Sequence, residues 1–168
     1  MGKRTLLVFI MFTFLSFAHA QVGSSLFGFE GRVYLEEDKG KKVNISLYEN
    51  NIKVSSYHTN YTGKFVLDIE RNKHYTVIYE KEGYLAKSII IKTHAKPNEA
   101  ANVEVFKFDV ILDKKESGVN YSQFDFPVTM IEFKKLLGQF DYNKEYTANM
   151  LIFHNKLLEK KINLAENK

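Results

Sequence analysis

The chain has no cysteine. That excludes disulfide scaffolds, zinc–thiolate sites, thiol nucleophiles and a lipid-bearing N-terminal cysteine, so a lipoprotein is not expected. It has no tryptophan, which removes the largest flat platform on which a sugar ring could stack. Two prolines in 168 residues leave no proline-rich linker between domains. Charge of neither sign dominates, with 24 basic residues against 20 acidic ones. The lysine runs at 39–42 and 160–161 are short, whereas a nucleic-acid reader carries a stronger basic stripe, so no nucleic-acid partner is expected. Long apolar runs are missing too. The longest, 6–17, has twelve residues broken only by Thr13 and Ser16, well short of the roughly 20 a membrane-spanning helix needs.

That short run has the setting of a secretory signal. Lys3 and Arg4 precede it, and Ala18-His19-Ala20 follows as a small-residue cleavage site. Cleavage after Ala20 is expected to leave a mature chain that begins at Gln21, carries no transmembrane segment and is exported to the periplasm or the medium. Without Lys3 and Arg4 the balance becomes 22 basic to 20 acidic residues.

What the chain does have is an apolar period of two. Phe27, Phe29, Val33 and Leu35 alternate with Glu30, Arg32 and Tyr34. The same pattern holds for Val43-Ile45-Leu47, for Phe65-Leu67-Ile69 and for Tyr75-Val77-Tyr79. Half-buried antiparallel strands read this way. Segments 52–59, 84–93 and 102–113 supply three more candidates. In the last of these the parity changes, and a bulge near Val105 would reconcile its two halves. Turn residues divide the runs at sandwich spacing, which predicts seven antiparallel strands in two small sheets over one core.

Thr59-Asn60-Tyr61-Thr62-Gly63-Lys64-Phe65 predicts its own geometry. Asn60 can bond the backbone two residues on, Gly63 can take φ > 0, and Phe65 enters the core. With Gly31-Arg32-Val33, Val43 to Leu47, Tyr75-Thr76-Val77 and Lys81-Glu82-Gly83-Tyr84, this turn resembles the carboxypeptidase regulatory-like domain, a transthyretin-like β-sandwich of Bacteroidetes-type exported proteins. The family turn more often has aspartate where this chain has Asn60. The resemblance implies a prealbumin-like sandwich over 21–113, with Thr59, Asn60, Gly63, Phe65, Gly83 and Tyr84 as structural turn residues. It implies no peptidase activity.

Segment 114–123 is polar and reads as a linker. The remaining 124–168 is expected as an extension made of a hairpin, 128–142, and a helix capped by Asn143. On a helical projection Met150, Phe153, Leu157 and Leu164 fall within about 40° of Tyr146. Tyr146, Met150, Phe153 and Leu157 are expected to face inward. Leu151, Leu158 and Ile162 form a second stripe, either further core or a candidate interaction surface.

Motifs for chemistry are missing. There is no metalloprotease, nucleophile-elbow, phosphate-loop or EF-hand pattern. His58, His74, His94 and His154 lack ligand spacing and are expected at strand ends or on the surface. No catalytic residue, metal or cofactor is expected. Three function classes remain. The first is an exported, non-enzymatic interaction or accessory module of the bacterial cell envelope, binding another envelope protein or itself. The second is a carbohydrate-binding module, which would need Tyr48, Tyr57 and Tyr61 as an exposed row. The third is a small exported hydrolase using Asp68, Glu70, Asp109 or Asp113, whose paired carboxylates would have to stand about 5–10 Å apart.

Overall fold

The alternating runs become strands in the computed structural model, which describes residues 26–166 except 37, 97, 98, 100–102 and 118. In the last helical turns the side chains at 161, 162 and 164–166 are also left out, so the secretory signal and the side chain of Ile162 lie outside the described residues. The elements are β1 (Leu26–Leu35), β2 (Asp38–Lys39), β3 (Asn44–Glu49), β4 (Ile52–His58), β5 (Lys64–Glu70), β6 (His74–Glu80), β7 (Lys87–Lys92), β8 (Phe106–Lys107), β9 (Val110–Leu112), β10 (Pro127–Lys134), β11 (Gln139–Tyr142) and α1 (Lys144–Glu166). The protein is mainly β, with two sheets and one C-terminal helix.

The first sheet is organised on β1. It pairs antiparallel with β5 and β2, and parallel with β8 and β9. The second runs β11-β10-β7-β6-β3-β4, antiparallel except where β10 lies parallel to β7. The expectation of seven antiparallel strands is therefore corrected: eleven strands are described, and three of the pairings are parallel. The physical reason is connection length. Parallel re-entry needs a long crossover, and the chain after β7 takes long paths before it rejoins each sheet.

Alternation decides which side chains are inside. Phe27, Phe29, Val33 and Leu35 from β1, and Phe65, Leu67 and Ile69 from β5, are all buried. They face Ile45, Leu47, Val77, Tyr79, Ile89 and Ile91 of the second sheet in one core. Rings interlock across the layers. Phe140 stands edge-on to Phe27 and Phe29 at 4.9 Å each, and Phe65 lies 5.4 Å from Tyr79. Each such fully buried side chain contributes roughly 1.5–3 kcal/mol. Because Phe140, Ile131 and Phe133 belong to this core, the C-terminal hairpin completes the second sheet.

Between 106 and 112 no bulge is needed. Pairing begins at Phe106, and the offset to β1 is the same at Phe29↔Phe106 and Val33↔Val110. Val105, 47 % exposed, precedes the strand. The ladder is interrupted at Asp109, whose carboxylate accepts the Arg32 backbone N–H at 2.8 Å. Here the Phe108 backbone passes so close to Gly31 that a Cβ on that residue would sit 1.6 Å from the Phe108 carbonyl oxygen. Only glycine fits this crossing.

β10 is buried on both faces. Ile131 and Phe133 enter the core, while Val128 and Met130 are buried on the opposite side, where α1 packs against β10. Asn143 caps α1, its side-chain oxygen accepting the Tyr146 N–H at 3.0 Å. The Tyr146 hydroxyl donates to the Pro127 carbonyl at 2.9 Å, and Thr147 Oγ1 accepts the Met130 N–H at 3.4 Å. The first two helical turns are thereby tied to the strand they cover. Among the described residues no helix is long and apolar enough to cross a membrane.

Candidate functional site

Three elements bring charged groups together beneath α1. Lys87 opens β7, Asp113 follows β9, and His154 lies in the middle of the helix. Lys87 Nζ and Asp113 Oδ2 are 3.0 Å apart. His154 Nε2 is 4.0 Å from the same carboxylate oxygen and makes no hydrogen bond. The His154 side chain is almost wholly buried, its ring 5.4 Å from Phe124 in an edge-on contact and 6.3 Å from Phe126. Burial lowers its pKa from the ordinary histidine value. The Lys87 charge lowers it further, and the Asn155 hydrogen bond and Asp113 oppose the shift. The imidazole is therefore neutral at pH 7.

This group is not arranged as a catalytic dyad. A general base must present a ring nitrogen to substrate while its other nitrogen is held by a carboxylate at hydrogen-bond distance. Here Nδ1 faces Asn155 at 3.5 Å, Nε2 faces inward, and Asp113 is already engaged by lysine. The arrangement anchors the helix.

Next to this anchor is an open cleft of about 540 Å³. Its floor is the outer face of the β6–β7 pair, where Ile78 stands opposite Ser88. Its wall is the segment before β10, with Asn120, Tyr121, Ser122 and Phe124. Tyr121 and Phe124 pack at 5.4 Å, and the Tyr121 hydroxyl accepts the Glu116 N–H at 2.9 Å, which stiffens the wall. The cleft combines the apolar Ile78, Leu85 and Ala86 with hydroxyls, an amide and the charged Lys87, Lys115 and Asp125, a mixed lining of the kind found in binding clefts.

The helix differs from the expected inward stripe. Phe153 is 49 % exposed and rests on Phe126 at 5.1 Å, whereas His154 takes the buried position. Tyr146, Met150 and Leu157 are half-buried. The stripe is rotated because Asn143, Thr147, Met150 and His154 share the docked face, and a search limited to apolar residues passes over a histidine there. Leu151 is 41 % exposed, and Leu158 is half-buried. Ile152, at 53 %, joins Leu151 and Phe153 in three consecutive exposed apolar residues.

The turn motif is fully committed to structure. Thr59 is buried, its hydroxyl accepting the Val43 N–H at 2.8 Å and donating to the Gly40 carbonyl. Asn60 Oδ1 accepts from the Thr62 N–H, the Thr62 hydroxyl and the Lys64 N–H, each at 2.9 Å. Gly63 has φ 77°, and Phe65 is buried against Tyr79 and Phe108. Gly83 has φ 80°, and the half-buried Tyr84 bridges to Lys114.

The features needed by the other function classes are separated. Tyr57 packs against the core, Tyr48 lies on the opposite parity of the second sheet, and Tyr61 is on the turn, so they form no row. Of the four strand acids, Asp109 accepts a backbone N–H, Asp113 holds Lys87, and Glu70 holds Lys73 at 2.9 Å. Two of the histidines without ligand spacing sit at strand ends, as expected, and are in contact: His74 and His94 meet edge to face at 4.6 Å. Among the described residues no group of three or more acids and histidines could hold a metal.

No family model matches the chain, and no curated protein does. Similar solved structures include 3-chlorocatechol 1,2-dioxygenase from Rhodococcus opacus 1CP, at 14% identity and TM-score 0.41 over 54% of this chain and 61% of that one. S.CueP matches at 11% and 0.37, over 54% of this chain and 64% of its own. A DUF3823 family protein from Parabacteroides merdae matches at 15% and 0.35, over 63% and 48%. The chain thus spans less than two thirds of each of these proteins.

Proposed function

We propose that this chain is an exported, non-enzymatic interaction module of a bacterial cell envelope, built on a transthyretin-like sandwich of the carboxypeptidase regulatory-like kind. The family reading is supported by the Thr59 to Phe65 turn, in which the motif's threonine, asparagine, glycine and phenylalanine each have a structural task. Export to the periplasm or beyond is supported by the charged, apolar and small-residue sequence of 1–20. The partner is another envelope protein or a second copy of the chain.

One observation carries the binding role. The cleft on the β6–β7 face shares its wall residue Phe124 with the His154 ring of α1, and that helix exposes three consecutive apolar residues, Leu151, Ile152 and Phe153. A surface of that kind gains by excluding water against a partner. The test is affinity capture of the mature protein from its native envelope, with sedimentation of the purified chain in parallel. The wild type should co-purify a stoichiometric partner or self-associate, and Leu151→Gln with Ile152→Gln should reduce either without changing the melting temperature. Exported protein should begin at Gln21. Capture and sedimentation unaffected by the double substitution would remove the helix from the reading.

A further inference from the structure

A second surface, at the opposite end of the β6–β7 pair from the cleft, has a different character. An open hollow of about 360 Å³ is lined by Asn72, His94, Ala95, Lys96 and Lys135. His74 adjoins it through its ring contact with His94, and Lys92 pairs across the strands with His74. These groups come from the start of β6, the end of β7 and the chain just beyond it, and the β10–β11 turn.

The walls are held in place by backbone bonds. The Asn72 N–H donates to the Thr93 carbonyl at 2.9 Å, and the Lys73 N–H donates to the buried Thr93 hydroxyl at the same distance. Among the described residues no carboxylate lines the hollow. The neighbouring acids have other partners. Glu49 and Glu70 hold Lys73, Glu132 holds Lys134, and Glu99 accepts the Lys96 backbone N–H at 3.2 Å. His74 is pushed toward neutrality by burial first, then by the charges of His94 and Lys92. Lys92, Lys96 and Lys135, gathered from separate elements, outnumber Glu99, the one acid bonded to a lining residue, and concentrate positive potential in a concave site.

We infer that this hollow binds a tetrahedral oxyanion, sulfate or phosphate, with Lys96 and Lys135 supplying fixed charge, His94 an imidazole donor, and the adjoining His74 charge that rises on acidification. Lys and protonated His donate charge-assisted hydrogen bonds to such an anion. Binding and protonation of His74 are then coupled, so the anion must raise the His74 pKa by the factor through which acid tightens binding.

Sodium sulfate is the probe, because its charge is constant between pH 5.5 and 7.5, and sodium chloride at matched ionic strength is the control. Proton NMR of the imidazoles should show saturable shifts of His74 and His94 with sulfate alone, and affinity about tenfold tighter at pH 5.5 than at pH 7.5. Lys96→Gln with Lys135→Gln should weaken binding about tenfold, and His74→Gln should flatten its pH dependence. These side chains are at the surface, so a thermal melt serves as the folding control. A second arm uses glucose 6-phosphate: a tighter fit than sulfate names an ester as the natural source, a weaker one the free ion. Equal shifts with chloride, or affinity unchanged in the double lysine variant, would overturn the inference.

Discussion

Two regions take polar groups beneath the surface, and they do so in opposite ways. In the turn from Thr59 to Phe65 the Thr59 hydroxyl both accepts and donates, and Asn60 accepts three hydrogen bonds. Under α1 the His154 Nε2 is buried beside a carboxylate already engaged by Lys87, and has no hydrogen bond of its own. Asn60 is satisfied locally, its partners lying two and four residues on, and Thr59 finds both of its partners in the one segment 40–43 beside the turn. A joint between a helix and a sheet must match groups placed by separate elements. The turn therefore specifies the fold, and the joint is where the structure has polar capacity left over.

The largest effect should come from the shared core that underlies both regions. Phe65→Ala in the sandwich and Phe140→Ala in the C-terminal hairpin should each cost about 3–5 kcal/mol, since both rings are buried among other rings. Both variants should melt in a single transition. A separate, early transition in the Phe140 variant, seen by differential scanning calorimetry, would show that the hairpin folds apart from the sandwich and that the comparison divides two units.

The next effect separates the satisfied turn from the rest. Thr59→Val keeps the shape and strands the Val43 N–H and the Gly40 carbonyl, which the hydroxyl now serves. A loss of about 2 kcal/mol is expected in urea denaturation. Wild-type stability in this variant would mean that the turn is held by Gly63 and Asn60 alone.

How far the sequence makes these regions legible follows from what periodicity can carry. Phe65, Leu67, Ile69, Val77 and Tyr79 are readable because each lies on a strand with one buried face, where burial repeats every second residue. The same period carries no direction, so the parallel course of β8, β9 and β10 is invisible to it. The hairpin at 128–142 is legible as a hairpin, yet its place in the second sheet is not, since that depends on partners more than thirty residues away. The His74–His94 contact joins two strand ends twenty residues apart, and no spacing rule reports it. His154 is hidden for a simpler reason: a polar residue on the docked face of a helix does not enter an apolar pattern.

A smaller effect tests the core's own unsatisfied group. Tyr79 is fully buried, its hydroxyl has no hydrogen-bond partner, and burial holds its pKa well above the ordinary tyrosine value. Tyr79→Phe removes a desolvated donor and keeps the ring against Phe65. It should stabilise the protein by about 1 kcal/mol, because deleting an unpaired polar atom recovers its desolvation cost. A destabilised variant would show that the hydroxyl is paired, and the contrast between turn and joint would then extend to fewer places.

The smallest and most specific effect concerns the joint. Burial and the Lys87 charge lower the folded-state pKa of His154, while Asp113 and Asn155 act weakly the other way. In the unfolded chain the ordinary value of about 6.5 applies. Between the two values the unfolded chain binds a proton that the folded chain refuses, so stability must fall as pH falls below about 6.5 and level off beneath the folded pKa. His74, also lowered, contributes with the same sign, so the joint has to be isolated by substitution. His154→Leu fills the space between Phe124 and Phe126 without a titrating group. Its melting temperature should decline less between pH 7 and pH 5 than that of the wild type or of His74→Gln. The same acidification should speed amide exchange in the helix around Met150 before it does so in β6, because protonated His154 would add a second buried cation beside Lys87 against the single Asp113 carboxylate. An acid slope unchanged in His154→Leu would show that the anchor beneath α1 does not sense protons.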